Sequence, residues 1–388
     1  MRIAISGASG YIGQHLSSFL EGKGYDVIPL GRDLFKEDCF DELCRCVESC
    51  EVVINLAGAS INKRWTEAYK QELYDSRICV TRQLVHAINT RSVKLELFIS
   101  ASAVGYYPAF GEYDEYHDCR GMDFLARLCG AWEEEASACS SDVRLVITRF
   151  GVVLSEDGGA LKEMLRLQRF SRVSVVIGNG QQRFPWISLF DLCRSFGYII
   201  RNRQMRGVVN LVSPDLITQK QLAHTLARAD KIRRIIPLPE FFFRLKFGEG
   251  ASFVTKGQTV HPSKLQESGF TYIYPTIEKL MNITDHHTVP ELDVKRYMGR
   301  WYEIARYENH FERGMTDVTA TYTLLPDGKI RVENEGYKGG VHKKATGRAK
   351  QPDPKNNPGK LKVAFFLWFY ADYYILELDA DYQYAVIG

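Results

Sequence analysis

The apolar positions along this chain recur first at helical spacing between short apolar runs, and later at every second residue. Ile3, Ala4 and Ile5 form an apolar run ahead of Gly7-Ala8-Ser9-Gly10-Tyr11-Ile12-Gly13; Leu16, Phe19 and Leu20 then follow at helical spacing up to Gly22 and Gly24. Tyr25 to Leu30 is a second run, so the opening predicts strand, loop, helix, strand. Val52 to Leu56 and Leu97 to Ser100 predict further buried strands, with helical stretches such as Glu67 to Asn89 between them, and Val143 to Leu154 predicts a strand leading into a loop. That alternation predicts an α/β fold, a parallel sheet with helices on both faces. From about Leu154 the alternation becomes irregular. Gly207 to Leu211 reads as one more sheet strand, Thr218 to Ala229 as a helix with Leu222, Leu226 and Ala229 on one face, and Phe241 to Phe247 as a compact aromatic segment. Residues 1–283 therefore read as one domain, with a substrate-side subdomain at about 154–180 and 218–283.

The polar, proline-ended stretch 284–290 reads as a linker. Beyond it, period-two runs at Trp301 to Tyr307, Val318 to Leu324, Lys329 to Glu335, Lys360 to Phe366, Tyr373 to Leu378 and Tyr382 to Ile387 are separated by turn signals such as Pro326-Asp327-Gly328. They predict an antiparallel all-β second domain over 291–388.

Composition changes this picture little. At 388 residues, 45% hydrophobic and 25% charged, the chain has room for two globular domains and no long disordered tract. A net charge of +3 gives no sign of a nucleic-acid partner. The longest apolar run, Val363 to Tyr370, has eight residues, well short of a transmembrane segment, and the start is no signal peptide. All nine cysteines fall at or before Cys193 without a regular framework, so thiols in a reducing, cytoplasmic setting are expected, with no metal site.

The first candidate chemistry is the glycine loop. Gly7, Gly10 and Gly13 sit where a strand hands over to a helix, the context in which a backbone turns tightly under a pyrophosphate and a helix N-terminus faces its charge. At the end of the second strand Arg32 suits the 2′-phosphate of NADP(H), whereas Asp33 beside it suits the ribose of NAD; NADP(H) is the expected cofactor, with NAD as the alternative.

Several further motifs occur in order: Asn55-Leu56-Ala57-Gly58-Ala59, Lys63-Arg64-Trp65, Asp75-Ser76-Arg77 with Thr81, Ser100 to Tyr107, Asp123-Phe124-Leu125-Ala126, Trp132-Glu133, Thr148-Arg149-Phe150-Gly151, Phe184-Pro185-Trp186-Ile187-Ser188 and Pro262 to Phe270. Over about 1–283 they resemble the atypical short-chain dehydrogenase/reductases, the nucleotide-sugar epimerase-like proteins sometimes called cell-division-inhibitor homologues. The resemblance implies a Rossmann fold of the extended short-chain dehydrogenase type. It assigns Gly7, Ser9, Gly10, Tyr11, Ile12, Gly13, Arg32, Leu56, Ala57, Gly58 and Ser100 to the cofactor, and Ser102 to orienting a substrate oxygen. The Tyr-x-x-x-Lys acid/base pair of ordinary members is missing. Near 124–128 the chain reads Phe124-Leu125-Ala126-Arg127-Leu128, and Tyr116-x-x-x-Arg120 is the one substitute spacing. Tyr106 is then the candidate phenol. Lys63, Arg64, Trp65, Tyr107, Arg183 and Trp186 are candidates for the walls of a small-molecule substrate cleft, with packing roles as the alternative for Tyr106, Tyr107 and Trp186. Arg149 is expected to bond backbone rather than substrate.

Gly299-Arg300-Trp301-Tyr302, followed by Thr316 to Tyr322, Asn334-Glu335-Gly336-Tyr337 and Phe365 to Tyr374, resembles a bacterial lipocalin over about 289–388. The resemblance implies a barrel floored by Trp301, with Gly299 and Tyr302 in its motif, around a cavity for a fatty acid or other lipid. Six or seven strands precede Gly388, so a truncated, incomplete barrel lacking its last strand and helix is expected, with an open edge able to self-associate. Three functions stay open: NADP(H)-dependent hydride transfer on a nucleotide sugar or other carbonyl compound, a catalytically silent NADPH-binding regulator, and a carrier of small hydrophobic ligands.

Overall fold

The computed structural model describes residues 1–92, 95–281, 288–306, 314–354, 357–365 and 370–388. Packing divides the chain into Met1–Ile283 and Thr284–Gly388. Of the expected linker, Thr284, Asp285, His286 and His287 lie outside the described residues.

The first unit opens with β1 (Arg2–Ser6), α1 (Tyr11–Glu21), β2 (Asp26–Leu30), α2 (Phe40–Glu48), β3 (Val52–Asn55), α3 (Glu67–Thr90) and β4 (Leu97–Ala103). It continues through β5 (Glu112–Tyr113), α4 (Phe124–Ser137), β6 (Arg144–Phe150), β7 (Val152–Ser155), α5 (Gly159–Ser171), β8 (Val173–Ile177), β9 (Trp186–Ser188), α6 (Leu189–Arg201) and β10 (Gly207–Leu211). The subdomain ends with α7 (Gln219–Ala229), β11 (Arg234–Leu238), α8 (Glu240–Phe247), α9 (Ser252–Thr255), β12 (Thr259–Val260), α10 (Ser263–Glu267) and α11 (Ile277–Leu280).

Six strands form the main sheet in the order β10-β6-β4-β3-β1-β2, every pairing parallel. A parallel strand covered on both faces must be apolar on both, and Ile3, Ala4 and Ile5, like Val52, Val53 and Ile54, are fully or almost fully buried. Leu16 and Leu20 of α1 and Phe196 and Ile199 of α6 cover one face; Leu43 of α2, Leu84 and Ile88 of α3 and Ala136 of α4 cover the other. The chain leaves β1 for β2 on one side and returns for β3 on the other. The carboxyl ends of β1 and β3 therefore flank the reversal in strand order where open α/β sheets bind ligands.

The run expected as one strand from Val143 to Leu154 is two. A Cβ at Gly151 would lie 2.9 Å from the Pro185 carbonyl oxygen, so the chain passes close to the neighbouring segment there and leaves the main sheet. β7 then pairs with β9, and β8 with β11, in two small parallel sheets. The Thr218–Gln221 capping box starts α7 at the expected place.

In the second unit α12 (Val294–Tyr297) leads into β13 (Gly299–Tyr302), β14 (Met315–Leu324), β15 (Ile330–Lys338), β16 (Val341–Lys350), β17 (Lys360–Ala364), β18 (Ala371–Leu378) and β19 (Ala385–Ile387). They form one antiparallel sheet in sequence order. β13 stops at Tyr302, short of the expected Tyr307, which lies outside the described residues, as do Phe366, Leu367, Trp368 and Phe369. β16 escaped sequence reading because its apolar signal is weak. Its residues Val341 to Thr346 are all exposed and three of them are Lys or His, with burial confined to Gly347 and Ala349. Tyr297, Tyr322, Ile330, Val332, Leu361, Val363 and Ile375 form this unit's core.

Arg144, at the start of β6, is buried and donates to the carbonyl oxygens of Ile199, Ile200, Asn202 and Met205 at 3.0–3.3 Å, closing the C-terminal end of α6. Arg144→Ala is expected to remove about 3 kcal/mol of stability by stranding those carbonyls. The check is urea unfolding; an unchanged midpoint would show that water replaces the guanidinium without loss.

Candidate functional site

The glycine loop follows β1 directly. Gly7 has φ +71°, and a Cβ there would lie 2.8 Å from the Leu56 carbonyl carbon at the end of β3. A Cβ on Gly13 would collide with the Gly7 carbonyl oxygen. Both positions require glycine because β1, β3 and α1 meet here backbone to backbone. Gly10 caps α1 with extended backbone, no side chain caps it, and no acidic residue sits in the first turn. The helix thus presents its first amides and positive dipole end to whatever occupies the crevice. Ile12 is half-buried, and Ser9 is exposed with its carbonyl accepting from Gln14 Nε2 at 3.0 Å. The Tyr11 ring packs on Gly158, its hydroxyl buried without a partner among the described residues; Ser100 Oγ in β4 is likewise unpartnered.

After β3, Leu56 and Ala57 are half-buried and Gly58 is exposed. Their course is fixed from below. Asn55 Oδ1 accepts from Ser6 Oγ (2.6 Å) and the Ala57 amide (3.3 Å), and Asn55 Nδ2 donates to Thr81 Oγ1 (2.8 Å). Arg77, from the Asp75-Ser76-Arg77 motif, donates to the Leu73 and Ala59 carbonyls, and its guanidinium lies where a Gly58 side chain would be. Arg32, just past β2, is exposed and forms no ion pair among the described residues. Asp33 is bound to Lys36 at 2.5 Å, which holds its carboxyl below the usual range.

Across the sheet, the end of β4 carries a second cluster. Ser102 is buried and its hydroxyl donates to Glu133 Oε1 of α4 at 2.6 Å. Arg149 of β6 clasps the same carboxylate at both oxygens, at 2.8 and 2.7 Å. The expectation that Arg149 bonds backbone is thus corrected: its partner is a buried carboxylate. Its guanidinium carbon lies 3.5 Å from the Tyr106 ring centre and 4.7 Å from that of Tyr107. Tyr107 is buried, donating to the Asp114 carbonyl (2.8 Å) and Asn210 Oδ1 (3.1 Å). Tyr106 is half-exposed and donates to Asp118 Oδ1 at 3.2 Å. Burial raises the Tyr106 pKa against the opposing charge of Arg149, so this phenol keeps its proton at neutral pH.

Where an acid/base pair would sit on α4, Leu125 packs against Gly105, and the Cys129 thiol, buried, is pushed up to about 12 and stays protonated. Tyr116 and Arg120 do not form the substitute pair. Tyr116 bonds Glu267 at 2.6 Å, which raises its pKa to about 12, while Arg120 pairs with Glu134. The proposed cleft walls scatter. Lys63 is exposed over the Tyr69 ring, and Arg64, also exposed, donates to the Leu245 carbonyl. Trp65 is buried with Nε1 on the Ile61 carbonyl, and Arg183 is exposed and donates to the Leu216 carbonyl. Trp186 is fully buried among Leu154, Leu161 and Ile217. That placement gives it packing neighbours in place of a cleft wall.

Sequence reading missed the Glu133 role, and also Glu115 and Asn210. The Glu115 carboxylate accepts from the Asn210 and Lys264 amides, while Asn210 Nδ2 donates to the His261 carbonyl. Glu133 had a signal: it falls on the stripe Ala126, Cys129, Glu133, Ala136 that α4 buries. A charge on such a stripe demands a partner. Glu115 and Asn210 come together across 95 residues of sequence and had none.

In the second unit Gly299 has φ +118°, Trp301 is half-buried with Nε1 donating to the Tyr297 carbonyl at 2.9 Å, and Tyr302 is exposed. The Tyr297 and Tyr322 hydroxyls each lie 2.9 Å from that of Tyr373. The described cysteines are all free, and no cluster of metal-binding side chains occurs among the described residues. No helix among them is long and apolar enough to cross a membrane.

The first unit is thus a Rossmann-type dinucleotide-binding fold, and comparison with known proteins sharpens the class. The NAD dependent epimerase/dehydratase family matches residues 3–211, a domain of unknown function (DUF1731) matches 238–282, and the lipocalin-like domain matches 292–388. The epimerase family protein YfhF of Bacillus subtilis (strain 168) is 34% identical over 307 residues, 74% of this chain and 100% of YfhF. The chloroplastic SDR39U1 homologue of Arabidopsis thaliana is 33% identical over 297 residues, 72% of this chain and 85% of its own. The crystal structure of human epimerase family protein SDR39U1 (isoform2) with NADPH aligns with a TM-score of 0.67 at 32% identity, over 74% of this chain and 100% of that one. This chain belongs to the NAD dependent epimerase/dehydratase family, in the epimerase-like short-chain dehydrogenase/reductase branch, and carries a C-terminal lipocalin-like domain.

Glu133→Gln is expected to destabilise the protein by about 3–5 kcal/mol, since it leaves the Arg149 charge buried and unpaired. The double change Glu133→Gln/Arg149→Met should cost less than Glu133→Gln alone. Denaturant unfolding of the parent, of Glu133→Gln, of Arg149→Met and of the double variant checks this; additive losses would mean the pair is not coupled.

Proposed function

We propose that the first unit binds NADP(H) in the glycine cradle and acts as a reductase on a carbonyl group, a nucleotide sugar being the leading substrate class. The observation that carries the reading is the cradle itself. Gly7 and Gly13 leave no room for a Cβ, and the uncapped N-terminus of α1 faces the crevice with no acidic side chain near it. The residues fit the cofactor in detail. The amides around Ser9, Gly10, Tyr11, Ile12 and Gly13 would hold the pyrophosphate, and Leu56, Ala57 and Gly58 would line its path. Arg32, exposed and without an ion pair among the described residues, would take the 2′-phosphate. Ser100 Oγ and the Tyr11 hydroxyl, buried without partners among the described residues, offer polar atoms beside it. That the human relative was crystallised with NADPH supports the same choice.

When bound, the cofactor supplies the hydride. The proton of half-exposed Tyr106, directed to Asp118, would turn to the substrate oxygen, and exposed Asp118 would relay its replacement from solvent. Ser102, with its proton directed to Glu133, offers only lone pairs to a substrate hydroxyl. That engagement, together with its near-complete burial, favours a second reading in which the site binds NADP(H) without turnover. For the second unit we propose a small apolar ligand, fatty acid or lipid, held by the concave face with Trp301 at its base; the match to the lipocalin-like domain supports it.

Arg32→Ala is expected to weaken NADPH binding about 10- to 100-fold and leave NADH binding unchanged, the loss of one charge-assisted phosphate contact. Calorimetry with both nucleotides measures it; equal loss for the two, or tighter binding of NADH to the intact protein, overturns the NADP(H) assignment. Following NADPH oxidation with nucleotide sugars, aldehydes and quinones, in the intact protein and Tyr106→Phe, separates the two readings: turnover lost in the variant supports the reductase, and binding without turnover the silent protein.

A further inference from the structure

Two helices of the subdomain end close together, each in the same manner. α5 stops at Ser171 and α7 at Ala229, and soon after each the backbone enters the left-handed region, at Arg172 (φ +57°) and Lys231 (φ +55°). Glycine suits that conformation best, yet both positions carry long cations. Between the two turns lies a cavity of about 320 Å³ lined by Ser171, Arg172, Lys231, Ile232, Arg233 and Arg234. Pairing of Arg234 with Val173 at the start of the β11–β8 sheet brings the two turns together.

No carboxylate lines this cavity. The nearby Asp230 is already held by Arg169 at 2.9 Å and by Gln168 Nε2 at 2.9 Å. Arg172, Lys231, Arg233 and Arg234 are all exposed and form no ion pair or side-chain hydrogen bond among the described residues. Helix C-termini attract cations, but each helix already has a basic residue in its last turn, Arg169 in α5 and Arg228 in α7. Four further cations around one concavity repel one another and concentrate anions there. The flanks are apolar and exposed: Leu167 (58%) and Phe170 (91%) share a face of α5 one turn before Arg172, and Ile236 (45%) lies two residues beyond Arg234 in β11.

We propose that this cavity binds a phosphate-bearing ligand, at a site separate from the glycine cradle. Guanidinium groups of Arg172, Arg233 and Arg234 meet the phosphate oxygens, the Lys231 ammonium adds a point charge, and Phe170 and Leu167 meet an apolar part of the same ligand. The phosphate can come from a soluble phosphoester or from the headgroup of an anionic lipid, in which case Phe170 enters the acyl boundary.

The test uses the full chain and the double variant Arg172→Gly/Lys231→Gly. Glycine fits both left-handed positions, so the variant's melting midpoint should equal or exceed that of the parent while two of the four charges are gone. A control, Lys338→Ala/Lys343→Ala, removes the same charge from exposed lysines of the other unit. Inorganic pyrophosphate is titrated by calorimetry, and sedimentation is measured with phosphatidylglycerol and with phosphatidylcholine vesicles. Pyrophosphate binding that falls at least tenfold in the glycine variant and holds in the control supports a soluble phosphoester. Binding to phosphatidylglycerol but not phosphatidylcholine vesicles, lost in the glycine variant and in Phe170→Ser, supports a headgroup. If neither probe binds, or if the glycine variant and the control lose binding equally or not at all, the proposal is wrong.

Discussion

The buried ion pair between Glu133 and Arg149 is the constraint around which the middle of the first unit is arranged. It joins α4 to β6 across the end of β4, and three other groups take their positions from it. The Ser102 hydroxyl donates a hydrogen bond to the carboxylate, and the rings of Tyr106 and Tyr107 lie against the guanidinium. A pair this deep is stable only when nearly every lone pair and proton is satisfied. Here both carboxylate oxygens accept from Arg149, one also from Ser102, and the arginine's faces meet aromatic rings. Its structural consequence is orientation. Tyr107 is pinned between Asn210 and Asp114, whereas Tyr106, next along the chain, keeps one edge toward solvent and Asp118.

The glycine cradle obeys a different rule, exclusion of side chains rather than pairing of charges. Gly7 against Leu56 and Gly13 against Gly7 bring three backbone segments together at the sheet's reversal point, while Asn55, Thr81 and Arg77 hold the β3 side of the crevice from behind. The two clusters share one geometric origin. Both sit at carboxyl ends of parallel strands, where strand termini and helix N-termini converge, so the cradle and Ser102 lie along the same edge of the sheet.

The division between what the sequence disclosed and what it withheld follows sequence distance. The glycine spacing and the apolar runs of the sheet are local patterns, and they were legible because a period or a turn needs only its neighbours. The break at Gly151 was not, since its cause is the backbone of Pro185. Nor was the partner of Arg149: Thr148-Arg149-Phe150 looks like any buried strand, and only the stripe of α4 containing Glu133 hints at a charge needing a mate. β16 failed for the converse reason: its exposed, basic face carries almost no apolar alternation, and its place is decided by β15 and β17 on either side. Phe241, Phe242 and Leu245, expected in a compact aromatic segment, are exposed, because α8 turns only Phe247 fully inward.

In the proposed reductase, a phenol that keeps its proton would serve as an acid rather than a base. In ordinary short-chain dehydrogenases a lysine beside the tyrosine lowers the phenol's pKa, and one residue can then serve both directions of hydride transfer. Tyr106 has a guanidinium over its ring, but burial outweighs that charge, and the carboxylates of Asp118 and Glu133 act in the same sense as burial. Arg149 directs hydrogen bonds to Glu133 and Tyr107, and its guanidinium lies over the Tyr106 ring, so its charge reaches Tyr106 across the ring face. The arrangement therefore favours giving a proton to an oxygen over taking one from it. That fits the proposed carbonyl reduction, in which this phenol would serve as the proton donor.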